Sequence, residues 1–182
     1  MRISTISTLA LVLVMTLKGT AQVYQPADAK STVKFSIKNF GIATGGDFKG
    51  LQGTITWDPT DPGKSLFDIT VDAATVNTNV ESRDNHLRKE EYFNAEQYPK
   101  ISFKSVKITS SGKAGSFTAY GKLTLKGITA AISIPFTVTA KDDGCLFEGS
   151  FQLDRRDYKV GGNSAVLGDN VTISLSVFAA KK

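Results

Sequence analysis

Asn77-Thr-Asn-Val-Glu-Ser-Arg-Asp-Asn-His-Leu-Arg-Lys-Glu-Glu-Tyr-Phe-Asn-Ala-Glu-Gln-Tyr-Pro-Lys-Ile-Ser-Phe-Lys-Ser105 is the stretch that decides the fold, because the apolar/polar alternation on either side of it stops here. Thr78 and Glu81 stand three apart, the spacing of an N-cap hydroxyl and its reciprocating carboxylate. Val80, Leu87 and Glu91 fall on one side of a helix, with Arg83, Asp84 and Arg88 around the rest. Seven of the eleven residues from Glu81 to Glu91 are charged, and His86, the only histidine, sits among them. Tyr98-Pro99 closes the segment, since the residue before proline is driven out of the helical region. The spacing predicts a short helical insert at about 78–93 in an otherwise all-strand chain.

Working outward, strands follow from period-two alternation. Val23-Tyr24 begins an edge. Val33, Phe35 and Ile37 alternate with Lys34, Ser36 and Lys38, and Gly41, Gly45 and Gly46 mark a bend. A second strand runs from Phe48 through Leu51, Gly53, Ile55 and Trp57 to the loop Asp58–Gly63, and a third carries Phe67, Ile69 and Val71. After Pro99 come Ile101 and Phe103, then Val106 and Ile108 beyond a slip at Ser105 that suits a bulge. Phe117 to Leu125, Ile132 to Ala140, Phe147 to Leu153 and Val171 to Val177 complete the set, with Pro135 at an edge or weak point of its ladder. Eight strands joined mostly by short turns imply antiparallel neighbours in chain order. A two-sheet sandwich or an up-and-down barrel satisfies that pattern, and the barrel is preferred because closure removes exposed edges.

The first residues read as a secretory signal: Arg2, an apolar run from Ile6 to Leu17, and the small residues Gly19-Thr20-Ala21. The run is too short to span a bilayer comfortably. Cleavage near Ala21-Gln22 leaves 182 less 21, or 161 residues, ample for one domain, and lowers the formal charge from +5 to +3 by removing Arg2 and Lys18. No Lys/Arg block tracks a phosphate backbone, so nucleic acid is excluded as a partner. Cys145 is alone, so no internal disulfide forms. The expected location is periplasmic or secreted. Transient membrane contact and a dimer are both compatible with the composition.

An eight-stranded barrel encloses a space that side chains just fill or that holds one small ligand. Its inward set includes Phe35, Ile37, Phe48, Ile55, Phe67, Ile69, Phe103, Leu123, Phe136, Phe151, Ile173 and Leu175. Gly53, Gly121 and Gly149 at inward positions either remove volume from that space or simply let strands coil. A cavity so lined takes an apolar guest, and the tube's height suits a chain-like lipid. Asn39, Arg83, His86 and Arg88 are assigned to its mouth or lid. The competing reading is that the Arg83–Arg88 run pins the helix to the barrel.

Chemistry has little support. His86 with Asp84 or Glu90 lacks a nucleophile or metal beside it, Glu90 and Glu91 point about 100° apart on a helix, and no metal-ligand spacing is present. The expectation is a non-enzyme without metal or cofactor. The alternatives are a structural β domain with a filled core and a His86-dependent hydrolase.

The same residues carry a resemblance. Arg83-Asp84-x-His86-Leu87-Arg88, followed by Tyr92-Phe93-x-x-Glu96-x-Tyr98-Pro99-x-Ile101-x-Phe103-x-Ser105, resembles the signature of the YceI-like family. Phe35-Ser36-Ile37-Lys38-x-Phe40-Gly41, Gly121 to Thr129, Asp154 to Gly161, and Gly168 to Ile173 are similar to the family's other blocks. The resemblance implies a lipocalin-like barrel in an exported protein, holding a polyisoprenoid lipid of quinone or polyprenol type for storage, transport or stress protection, with no catalytic role. Asn39 and Gly45-Gly46-Asp47 stand where the family commonly has histidine and a basic residue, which points to a neutral headgroup.

Overall fold

A computed structural model describes residues 21–182, and the signal-like segment before Ala21 lies outside them. Ten strands are present: β1 (Gln22–Pro26), β2 (Thr32–Asn39), β3 (Ile42–Phe48), β4 (Gln52–Trp57), β5 (Leu66–Asp72), β6 (Lys100–Ser110), β7 (Ser116–Leu125), β8 (Ile128–Lys141), β9 (Gly144–Asp154) and β10 (Leu167–Lys181). Among these residues one α-helix, α1 (Glu81–Leu87), lies between β5 and β6. β1 and β2 both pair antiparallel with β10, while β3 pairs with β2 and β4 with β1. Each couple therefore occupies one lane of the wall. The result is a closed antiparallel barrel of eight lanes in chain order.

β1 is thus no edge, being paired on both sides to β4 and β10. Gly45 and Gly46 lie inside β3 rather than at a bend, because Phe35 is laid across Gly46, where a Cβ would meet its ring at 2.8 Å. The expected bulge exists: the β6–β7 register shifts between Ser105 and Lys107. It turns Val106 outward, 66% exposed, while Ile108 returns inward at 1%.

The wall is not closed evenly. β8 pairs with β9 only from Phe136↔Gly149 to the hairpin at Lys141↔Gly144, so the ladder parts at Pro135, whose nitrogen has no proton to donate. Above that point Ile128 to Ile134 pair with β7 alone, and Ser150 to Asp154 with β10 alone. β3 likewise has no ladder to β5. It is joined across that gap by the isolated bridge Asp47↔Asn77 and by the Asp72 amide donating to the Lys49 carbonyl at 3.0 Å. In the lane order these two seams lie on opposite sides of the barrel. One end is consequently a closed barrel. The other end is two facing four-strand sheets, β9-β10-β2-β3 and β5-β6-β7-β8. The fold is the barrel, parted into two facing sheets at its open end.

Aromatic side chains plug the closed end. Trp57 meets Phe117 edge-on at 4.7 Å between ring centroids, and Phe67, Phe136 and Phe147 extend the cluster. Such edge-to-face pairs contribute about 0.5–1.5 kcal/mol each beyond the area they bury. The seam at β3/β5 is covered by residues 73–80 and α1. The seam at β8/β9 is filled by Tyr158 and Val160, packed against Leu123, Leu125, Ile132 and Leu153. The Tyr158 phenol is pushed up in pKa by that burial, with the Asp157 carboxylate adding to it.

Candidate ligand cavity

Between the two facing sheets lies a cavity of about 470 Å³. All twelve expected inward residues line it: Phe35, Ile37, Phe48, Ile55, Phe67, Ile69, Phe103, Leu123, Phe136, Phe151, Ile173 and Leu175. Burial separates the floor from the chamber. Phe48, Ile55, Leu123 and Phe136 are buried against the aromatic plug, whereas Phe35, Ile37, Phe67, Ile69, Phe103, Phe151, Ile173 and Leu175 are only half-buried, although they point into the barrel. An apolar side chain that faces inward and still meets open space borders a void, because packed interiors leave few gaps larger than a water molecule. Of the three inward glycines, Gly149 lines this space. Gly121 does not enlarge it, for the Phe103 ring lies 2.7 Å from where a Cβ would stand, and Gly53 is exposed with φ +124°.

The mouth forms at the open end, between α1 and the tip of the β2–β3 hairpin. Asn39, Thr44, Thr78, Arg83, His86, Ser164 and Val166 line it. Local sequence places them as follows. The Thr78–Glu81 capping box does not form; Val80 occupies the N-cap with no side-chain bond. Instead the buried Asp84 carboxylate accepts from the Thr78 amide at 2.8 Å and the Thr78 hydroxyl at 2.5 Å. A carboxylate one turn inside the helix thus satisfies the donors that Glu81, pointing to solvent, does not. Arg83 donates to the Thr78 hydroxyl at 2.7 Å and the Thr78 carbonyl at 3.0 Å, and makes no ion pair among the described residues. His86 is exposed, 3.8 Å from Glu91, with its ring 4.9 Å from that of Tyr92.

Arg88 lies outside the cavity lining. It donates to the carbonyls of Ala74 (2.7 Å) and Val76 (3.1 Å) and to Asn85 (2.8 Å), so it ties α1 to the seam. The mouth and pin readings thus divide between residues: Arg83 and His86 at the opening, Arg88 as the pin. The roof beyond α1 is held by Lys126, which donates to the Glu91 and Lys159 carbonyls. Burial lowers its ammonium pKa, against the pull of Glu90 and Glu91.

Arg155 is the residue that pattern reading passed over. The residue is 2% exposed, and its guanidinium donates to the carbonyls of Val160 (2.7 Å), Gly161 (3.0 Å), Gly162 (2.7 Å), Gly168 (2.9 Å) and Leu167 (3.3 Å) and pairs with Asp169 at 3.1 Å. One planar fork folds the whole 155–169 loop that borders the mouth. Its signal was the pair Asp154-Arg155 at the end of an alternating strand, which marks a charge where the apolar face should continue. Among the described residues no three His, Cys, Asp or Glu side chains gather into a metal-binding group. His86 has Glu91 as its ion-pair partner and the Tyr92 ring beside it.

Fold and chamber define a class: a closed antiparallel barrel with an apolar interior open at one end. The signature of the YceI-like domain matches residues 24–179, and the chain belongs to that family. It is similar to a UPF0312 protein of Pseudomonas aeruginosa, 28% identical over 152 residues covering 80% of this chain and 78% of the relative. It is also similar to Protein YceI of Escherichia coli O157:H7, 27% identical over the same shares. Among solved structures, BcnA of Burkholderia cenocepacia superposes with a TM-score of 0.81 at 25% identity, covering 85% of this chain and 99% of that one. A polyisoprenoid-binding domain from Saccharophagus degradans gives 0.70 at 15% identity, covering 90% and 100%.

Proposed function

We propose that this protein is an exported, non-catalytic carrier that holds a long apolar lipid of polyisoprenoid type, such as a quinone or a polyprenol, between its two sheets. The observation that carries the reading is the chamber itself: eight inward apolar side chains left half-exposed around about 470 Å³ of space. That volume is within the range of small-molecule sites, roughly 300–1,000 Å³. Each methylene moved there from water contributes about 0.8 kcal/mol, so a few isoprene units exceed the cost of association. The polyisoprenoid-binding description of the Saccharophagus degradans domain, which has the same fold, agrees with this choice of guest. The signal-like segment and its cleavage near Ala21-Gln22 supply the export half of the proposal, and storage, transport or stress protection are the roles a carrier of this kind serves.

The polar groups gather at the mouth, where a headgroup would lie. The expectation of a neutral headgroup rested on missing positive charge at the β2–β3 bend, yet the Arg83 guanidinium stands at the same opening. A neutral headgroup bearing acceptor oxygens, as in a quinone, fits both the uncharged bend and that donor. Native mass spectrometry of protein isolated from its own host, followed by organic extraction, tests the proposal. A discrete added mass that extracts as an isoprenoid is the expected result. Protein that stays at its polypeptide mass, and remains there after exposure to polyprenol micelles, refutes it.

A further inference from the structure

We infer that the β2–β3 hairpin tip and the neighbouring 163–166 loop form a membrane-docking face that sets the cavity mouth against a lipid bilayer. Phe40 is 73% exposed, Ile42 70% and Val166 40%. They are one surface: the Phe40 amide donates to the Val166 carbonyl at 2.9 Å, and Leu167 pairs with Asn39. Val166 and Asn39 also line the cavity, so the exposed apolar tip adjoins the chamber's opening.

Local folding does not account for Phe40. The tip is a two-residue turn with φ +51° at Phe40 and +77° at Gly41, the left-handed pair that asparagine-glycine fills best. A bulky residue at positive φ is strained. Here it packs against nothing that repays the strain, being mostly in solvent. Charge is arranged to match. Residues 36–46 carry Lys38 as their only charged side chain, and residues 160–168 carry none. A lone cation beside an apolar wedge, with no carboxylate on either loop, suits a surface of phosphate headgroups over acyl chains. The other exposed apolar residues differ in setting: Leu66, Val106 and Tyr120 share their strands or the neighbouring ones with Asp68, Lys104, Lys107 and Lys122, Val80 adjoins Glu81, and Val23 is only 36% exposed.

This inference rests on the carrier reading, since a guest drawn from a bilayer needs an apolar route from it. The test uses the mature chain and vesicles of phosphatidylcholine, alone or with phosphatidylglycerol, read by flotation. The wild type floats with both. Phe40→Asn/Ile42→Ser partitions about a hundredfold less, with an unchanged or higher melting temperature, because asparagine relieves the turn. Val106→Ser floats like the wild type. Equal flotation of the double variant overturns the inference. So does a wild-type dimer that the double variant dissolves without any vesicle binding, for the face would then cover a second copy. Lipid-loaded protein that ignores vesicles sinks the docking face and leaves the carrier standing. Vesicle binding by protein that never acquires a lipid does the reverse.

Discussion

Arg155→Ala should cost this protein more stability than any single truncation on its surface. The guanidinium reaches five carbonyls and one carboxylate from a site 2% exposed. Hydrogen bonds to a charged donor contribute about 1.5–3 kcal/mol each but not additively; Asp169 keeps Arg156 at 3.3 Å, so the loss falls on the carbonyls left without a donor. Taking about 4 kcal/mol, at about 2–4 °C per kcal/mol for a domain of this size, the melting temperature should fall by about 8–16 °C. Arg155→Lys keeps the charge but loses the planar fork, so it should recover less than half of that loss. Thermal unfolding followed by circular dichroism measures both. The loop released carries Val160, Ser164, Val166 and Leu167 of the cavity rim, so lipid retained through gel filtration should drop in parallel. An alanine variant melting within about 3 °C of the wild type would refute the view that this fork holds the open end together.

Ile173→Trp places a large ring in the chamber without adding a polar group; bound lipid should fall at least tenfold in native mass spectra while melting stays level or rises, and undiminished lipid would place the guest elsewhere. Asp84→Ala strips the Thr78 amide and hydroxyl of their acceptor, at about 2–4 kcal/mol; Glu81→Ala should cost under about 0.5 kcal/mol, and reversed magnitudes in denaturant titrations would restore the capping box. The Tyr24 phenol is pushed up to about 12, mainly by burial with the Cys145 thiol adding to it. Its raised pKa stabilises the fold below the ordinary value near 10, a contribution lost as pH climbs from about 10 to about 12. For a half-buried group that is roughly 1–2 kcal/mol. Tyr24→Phe should flatten the alkaline limb of stability against pH, and an unchanged slope would assign that limb to other groups.

The barrel and its lining were legible because alternation reports directly which side chains face inward, and in a tube inward means the cavity. Phe35, Ile37, Ile173 and Leu175 needed nothing more. What escaped was set by contacts between distant segments. The Thr78–Glu81 spacing is a good local signal, but Asp84 reaches the same donors from inside the helix and wins. Gly45 and Gly46 look like a bend until the Phe35 ring is laid across one of them. Arg88 and Arg83 lie five residues apart with equal charge; only the position of the Ala74 and Val76 carbonyls makes one a tether and leaves the other at the opening. Alternation marks Arg155 only as a charge out of place at the end of β9; its partners, up to fourteen residues away, leave no local pattern.

The parting of β8 and β9 at Pro135 bears on how many guests the chamber can accept. Where all eight lanes are laddered, the girth of the wall is set by peptide spacing, about 4.8 Å per lane, and cannot vary. Above the two seams no such rule holds, and the spacing of the sheets depends on Tyr158, Val160 and the α1 segment wedged between them. The lower half is a gauge of fixed bore, and the upper half is a clamp whose jaws are set by removable shims.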